Sequence, residues 1–273
     1  MPTYVDRDAT VQLLREEFET VEELCGGLAP SAWDTPTCLP GWTVRDNLSH
    51  MIGTESMLLN LAAPESEEGP SDHVKNPIGQ ANETWVASMR SLPGEEMVAR
   101  FHEVTTHRLA ALDLMSQIEF DAPSWTPAGP DETYGRFMRI RHYDCYMHEH
   151  DIRAALGVTD RPAPTHLTSS LDEVATGLGY IVGKRAGLPR GSRLRLALTG
   201  PVSREFYVAV EERAAVVASL DGDPTVVLEM PAMLFLRLTG GRQPALPHFD
   251  REILIAGDRE LATRLASNLA FTI

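Results

Sequence analysis

The period at which apolar residues recur changes part-way along this chain, and that change limits the fold more than any other feature of the sequence. Over residues 8–28, Val11, Leu14, Phe18, Val21 and Leu24 follow three- and four-residue steps and then meet Gly26 and Gly27, which predicts an amphipathic helix with a glycine stop. Past residue 190 the step becomes two: Leu194, Leu196 and Leu198 alternate with Arg193, Arg195 and Ala197, and Phe206, Val208 and Val210 alternate in the next run. A helical stripe does not serve as a strand face, nor the reverse, because side chains leave a helix with period 3.6 and a strand with period two. The 273 residues are therefore expected to form two modules, a helical one followed by an α+β one.

Further helices are expected over residues 43–60, 80–91, 95–115 and 134–156. The first of these opens on Thr43 as N-cap, with Asp46 in the acidic position of a capping box. Pro93 and Gly94 part the next two, and Gly157 stands where a C-cap is expected after the last. Residues 63–77, acidic and aperiodic, and residues 120–130, with three prolines, are expected as loops. Four main helices with one long connection predict an up-and-down four-helix bundle over residues 1–160. Pro162 and Pro164 mark the boundary, and residues 161–273 are expected as the smaller α+β domain. Its elements are a helix over 167–186, strands over 193–198, 205–210 and 225–229, a helix over 231–240, a strand over 253–255 and a helix over 258–269.

A formal net charge of −15 repels phosphate backbones and anionic bilayers, so nucleic acid and membrane are not expected as partners, and a small molecule is. No apolar run approaches the roughly 18 residues of a membrane span, and the first residues lack a basic-then-apolar leader, so a cytoplasmic location is expected. The three cysteines, Cys25, Cys38 and Cys145, are odd in number and lack C-x-x-C spacing, which argues against a disulfide framework or a cysteine-rich zinc site. The sequence leaves the oligomeric state open.

Chemistry concentrates in the helix over residues 134–156. Asp144 and His148 are four apart, so both leave one helix face about one turn distant, as two ligands of one cation must. Spacing alone reads equally as a polar helix face with local ion pairs such as Glu149 with Arg153. His50 is the favoured third ligand because it sits on an otherwise core-forming helix, but His102, His107, His142 and His150 compete, and spacing does not choose among them. Two histidines and a carboxylate would leave a coordination position open, and Asp151 or Arg141 would then support the ligands from behind. There is no G-x-S-x-G elbow, P-loop or dinucleotide fingerprint, and Cys145, three residues from His148, reads as a packing residue.

The string from Leu39 to His50, LPGWTVRDNLSH, resembles the signature of the DinB-like, mycothiol-dependent maleylpyruvate isomerase and mycothiol S-transferase family. A second block, with Arg141, Asp144, His148, Asp151, Ile152, Arg153 and Gly157, is similar to the same family's helix of pattern R-x-x-E-x-x-x-H-x-x-D-I-R. The resemblance extends into the second module through Thr199-Gly200-Pro201, residues 233–241 and residues 255–262, which resemble a sterol-carrier-like domain. It implies a DinB-like bundle that binds a divalent ion, zinc foremost, through His50, Asp144 and His148, with the thiol mycothiol as cofactor. It also implies that the second module helps to hold mycothiol, for which Arg237, Arg242 and Arg251 are the local cations. Asp144 departs from the family, which has glutamate there, and the shorter arm affects where and which metal binds.

The chemistry so implied needs no catalytic side chain beyond the metal ligands, because a metal deprotonates a coordinated thiol at neutral pH. The activity expected is thiol transfer to a small electrophilic metabolite, or its cis-trans isomerisation, which shares the first step. A non-catalytic carrier of metal or apolar ligand is the alternative, since fold does not dictate function.

Overall fold

The structure is a computed structural model that describes residues 2–65 and 74–272. The loop expected over residues 63–77 has its central part, residues 66–73, outside the described residues. The chain divides between Arg161 and Pro162 into two compact units.

The first unit holds helices α1 (Arg7–Gly26), α2 (Val44–Leu58), α3 (Pro77–Met89), α4 (Gly94–Leu114), α5 (Gln117–Phe120) and α6 (Tyr134–Leu156), with a hairpin of β1 (Pro123–Thr126) and β2 (Gly129–Thr133) before α6. Helix α1 packs on α4 and α6, and α2 packs on α3, α4 and α6, which is a four-helix bundle of α1, α2, α4 and α6 with α3 laid along α2. Phe18, Leu48, Met51, Phe101, Leu112, Met138 and Ile152 meet in its core. Gly53 permits the close approach of α3, since a Cβ there would lie 2.5 Å from the Cβ of Trp85. The hairpin corrects the expected loop over residues 120–130: proline is tolerated in a two-stranded ribbon, where both strands are edges, and Thr126 Oγ1 holds the turn by donating to the Gly129 carbonyl at 3.1 Å.

The second unit holds α7 (Pro164–Tyr180), β3 (Arg193–Thr199), β4 (Arg204–Val210), β5 (Ala214–Val217), β6 (Val226–Pro231), α8 (Ala232–Thr239), β7 (Leu254–Gly257) and α9 (Arg259–Ala266). The strands form one sheet in the order β5-β4-β3-β6-β7, antiparallel except where β3 runs parallel to β6. Leu194, Leu196 and Leu198, with Phe206, Val208, Val210, Val226, Leu228 and Met230, are the buried face that the period of two announced. Strand β5 was not expected. It is short and half exposed, and α7 reaches it through Gly179, where a Cβ would stand 2.7 Å from the Ala214 carbonyl oxygen. Among the described residues, no helix is long and apolar enough to cross a membrane.

Candidate metal centre

The loop that leads into α2 shapes one side of the site. Pro40 and Gly41 occupy the centre of a tight turn in which the Trp42 N–H donates to the Leu39 carbonyl at 3.1 Å, and Gly41 has φ of 77°, a conformation that favours glycine. The turn delivers Trp42 beside the first turn of α2. Its indole N–H donates to Glu83 of α3 at 3.2 Å, and its ring lies 5.3 Å from the His50 ring and 5.9 Å from the His148 ring, centre to centre. Helix α2 then begins on the expected box, with the Thr43 N–H donating to Asp46 at 2.8 Å and Asp46 N–H returning to Thr43 Oγ1 at 3.4 Å.

Two helices bring the donors together. Asn47 and His50 leave the same face of α2, three residues apart, while Arg141, Asp144 and His148 leave the facing side of α6 at three- and four-residue steps. His50 Nε2 lies 3.0 Å from Asp144 Oδ2, and His148 Nε2 lies 3.5 Å from Asp144 Oδ1. One ligand atom from each of the three residues falls within 4.8 Å of the other two. Both imidazoles are buried and Asp144 is half-buried. His102, His107, His142 and His150, which competed on spacing, have other surroundings: His102 pairs with Glu22 at 3.0 Å, His107 is exposed, His142 stacks on Tyr146, and His150 faces Asp160 at 3.1 Å.

Behind the donors stands a buried charge network, of which Arg141 was expected from the sequence and Glu55 and Arg108 were not. Arg141 donates to Asp144 Oδ2 and, through Nε, to Glu55 Oε1 at 3.0 Å. Arg108 of α4 donates to the other Glu55 oxygen at 3.0 Å. Burial works against ionisation of Asp144, but its contacts with His50, His148 and the Arg141 guanidinium outweigh it and hold the carboxyl well below the usual range; Arg141 keeps its charge at any working pH. Burial pushes the His50 imidazole below its ordinary value, against the pull of Asp144, so it is neutral near pH 7 as a ligand must be. Asp151 is buried, with Oδ2 at 3.5 Å from His148 Nδ1 and Oδ1 accepting from the Cys38 thiol at 3.2 Å.

These residues suit a divalent ion. Ligands about 2.0–2.2 Å from a tetrahedral zinc lie roughly 3.4 Å from one another, and the two Asp144 contacts of 3.0 and 3.5 Å bracket that spacing. Two imidazoles and one carboxylate also match the donor set of a catalytic ion with an open position. In the second unit, Arg237 is half-buried on α8, Arg242 turns back to donate to the Gly240 carbonyl at 2.7 Å, and Arg251 is exposed.

A helical bundle carrying a two-histidine, one-carboxylate cluster, joined in sequence to an α+β unit, defines the class of protein. Residues 14–153 match the mycothiol maleylpyruvate isomerase N-terminal domain and residues 168–264 match the MDMPI C-terminal domain, so the chain belongs to the mycothiol maleylpyruvate isomerase family. The fold is similar to the crystal structure of the mycothiol-dependent maleylpyruvate isomerase, with a TM-score of 0.62 and 18% identity over 92% of this chain and 93% of that one. A histidine-to-alanine mutant of that enzyme gives a TM-score of 0.60 at 17% identity, with the same coverage of both chains. An uncharacterized protein found in two strains of Mycobacterium tuberculosis is 26% identical over 158 residues, which is 57% of this chain and 59% of that protein.

Proposed function

We propose that this chain is a metal-dependent enzyme that uses mycothiol, with His50, Asp144 and His148 holding one divalent ion, zinc foremost. The convergence of those three side chains from α2 and α6 carries the reading. A divalent ion held there supplies the Lewis acidity that deprotonates a coordinated thiol near neutral pH. The residues of the chain do the rest. His50 and His148 offer ring nitrogens to the ion, Asp144 stays ionised, and Arg141 donates to Asp144 Oδ2 and offsets its charge. The Trp42 ring packs beside both imidazoles, which are buried. The chain's two buried thiols are poor substitutes for an external one: burial pushes Cys25 up to about 12 and Cys145 well above the ordinary thiol value.

The reaction is addition of the mycothiol thiol to a small electrophilic metabolite, in which the S–H bond breaks, a sulfur–carbon bond forms as the acceptor's carbon–carbon π bond opens, and the proton passes to the adjacent carbon; cis-trans isomerisation follows when the adduct rotates about the new single bond and the addition reverses. Transfer is favoured as the broader activity because the sequence identifies no maleylpyruvate pocket. Arg237, Arg242 and Arg251 are proposed to grip an anionic group of the cofactor, and a cytoplasmic setting supplies the reduced thiol. The family membership and the donor set support this reading over that of a carrier, which needs no open metal position. The test is elemental analysis of the purified protein together with turnover of electrophiles, maleylpyruvate among them, with and without mycothiol. About one ion per chain and strict dependence on the thiol are expected; equal turnover without mycothiol rejects the proposal.

A further inference from the structure

The orientation of His148 is determined by an amide on the opposite helix. His148 Nδ1 lies 2.7 Å from Asn47 Oδ1. The Asn47 amide is not free to turn, because its Nδ2 donates to the Thr43 carbonyl at 2.8 Å and to Thr37 Oγ1 at 3.3 Å. Its Oδ1 is therefore the atom that faces His148, and a carbonyl oxygen only accepts. Nδ1 must carry the proton, which leaves Nε2 with a lone pair on the side of Asp144 and His50. Asp151, the carboxylate that sequence spacing offered for this task, stands farther off at 3.5 Å and takes the Cys38 thiol on its other oxygen. Asn47 and Asp151 are both fully buried, so neither contact is diluted by solvent.

We propose that Asn47 is the positioning residue of the site: its side-chain carbonyl fixes His148 in the Nδ1–H tautomer and aims Nε2 at the metal position. The proposal rests on the metal reading above only for the use to which the lone pair is put. The tautomer itself is a property of the metal-free protein. An amide in this place, rather than a carboxylate, also adds no further negative charge behind the imidazole, so the ligand is less basic and the ion it holds the stronger Lewis acid.

The experiment uses the full chain with isotope-labelled histidine, stripped of metal, at about pH 8 where a free imidazole is neutral. Long-range proton–nitrogen correlation spectra read the tautomer, and loss of one pattern in His148→Ala identifies His148. The wild type should show Nδ1 protonated, Asn47→Asp should keep that pattern because it keeps an acceptor, and Asn47→Leu should mix the two tautomers. In a chelator competition, zinc affinity should fall on the order of 10- to 100-fold in Asn47→Leu and remain in Asn47→Asp. A wild-type His148 protonated at Nε2 overturns the proposal, and so does an Asn47→Leu protein with unchanged tautomer and affinity. If Asn47→Leu fails to fold, the wild-type and Asn47→Asp spectra decide the matter alone. A wild type that takes up no zinc, while its tautomer follows residue 47, rejects the metal reading and leaves the role of Asn47 standing.

Discussion

Replacing Glu55 by glutamine should unbalance the bundle at the point where it carries the most buried charge. Glu55 accepts from Arg108 and from Arg141 at 3.0 Å each, and the three side chains are 2%, 3% and 4% exposed. Glutamine keeps the shape but removes the anion. Arg141 retains Asp144, whereas among the described residues Arg108 keeps the Tyr134 hydroxyl at 3.0 Å and the Met138 sulfur at 3.2 Å, neither of which neutralises a cation. An uncompensated buried charge costs about 3–5 kcal/mol, a large part of the roughly 5–15 kcal/mol that separates native from unfolded protein. At about 2–4 °C per kcal/mol for a chain of this size, the melting temperature should fall by roughly 10 °C. Urea unfolding followed by far-ultraviolet circular dichroism should move to a lower midpoint at unchanged slope. A second substitution, Arg108→Met, removes the orphaned charge and should recover most of the loss. A Glu55→Gln protein within about 1 kcal/mol of wild type, the range of a solvent-screened pair, would refute the reasoning, as would failure of Arg108→Met to restore it.

Elemental analysis should find the ion gone from His50→Ala and from His148→Ala while circular dichroism remains helical, and Asp144→Glu, which restores the family's ligand, should keep it. Because protons compete for the imidazoles, zinc occupancy followed by equilibrium dialysis should be full near neutral pH and lost on acidification; burial holds His50 below its ordinary 6.5, so the midpoint should lie below that value. Exchanging Cys25, Cys38 and Cys145 together for serine or alanine should leave mycothiol-dependent turnover in place at a cost of about 1 kcal/mol or more in stability, and loss of turnover in a folded, metal-loaded Cys145 variant would mean that a protein thiol performs the attack. Gly53→Ala should lower the unfolding midpoint, since its new methyl group meets Trp85 at 2.5 Å in the α2–α3 contact.

Which parts of this molecule could be read from sequence follows from the range of the forces involved. The Thr43–Asp46 box at the start of α2 and the left-handed Gly157 at the end of α6 were legible because each involves backbone and side chains within one turn. Strand β5 and the β1–β2 hairpin were not, because both are short, poor in alternating apolar residues, and held by partners elsewhere: Gly179 of α7 for the one, and the Thr3 carbonyl, which accepts from Thr133, for the other. The site divides along the same line. Asp144 and His148 share a face by spacing alone, but His50 was favoured among five histidines for its place on a core-forming helix and singled out only by resemblance, since the convergence of two helices is tertiary. Glu55, Arg108 and Asn47 nevertheless carried a signal that went unread. Glu55 falls in step with Leu48 and Met51, Arg108 with Phe101, Val104 and Leu112, and Asn47 with Val44 and Met51, so each is a polar residue on an apolar stripe. A charge or amide at such a position is either expelled or paired, because burying it alone costs more than the stripe gains. On α2, which is buried from Asp46 to Ser56, expulsion was never open to Glu55, and the two arginines that meet it are the necessary consequence.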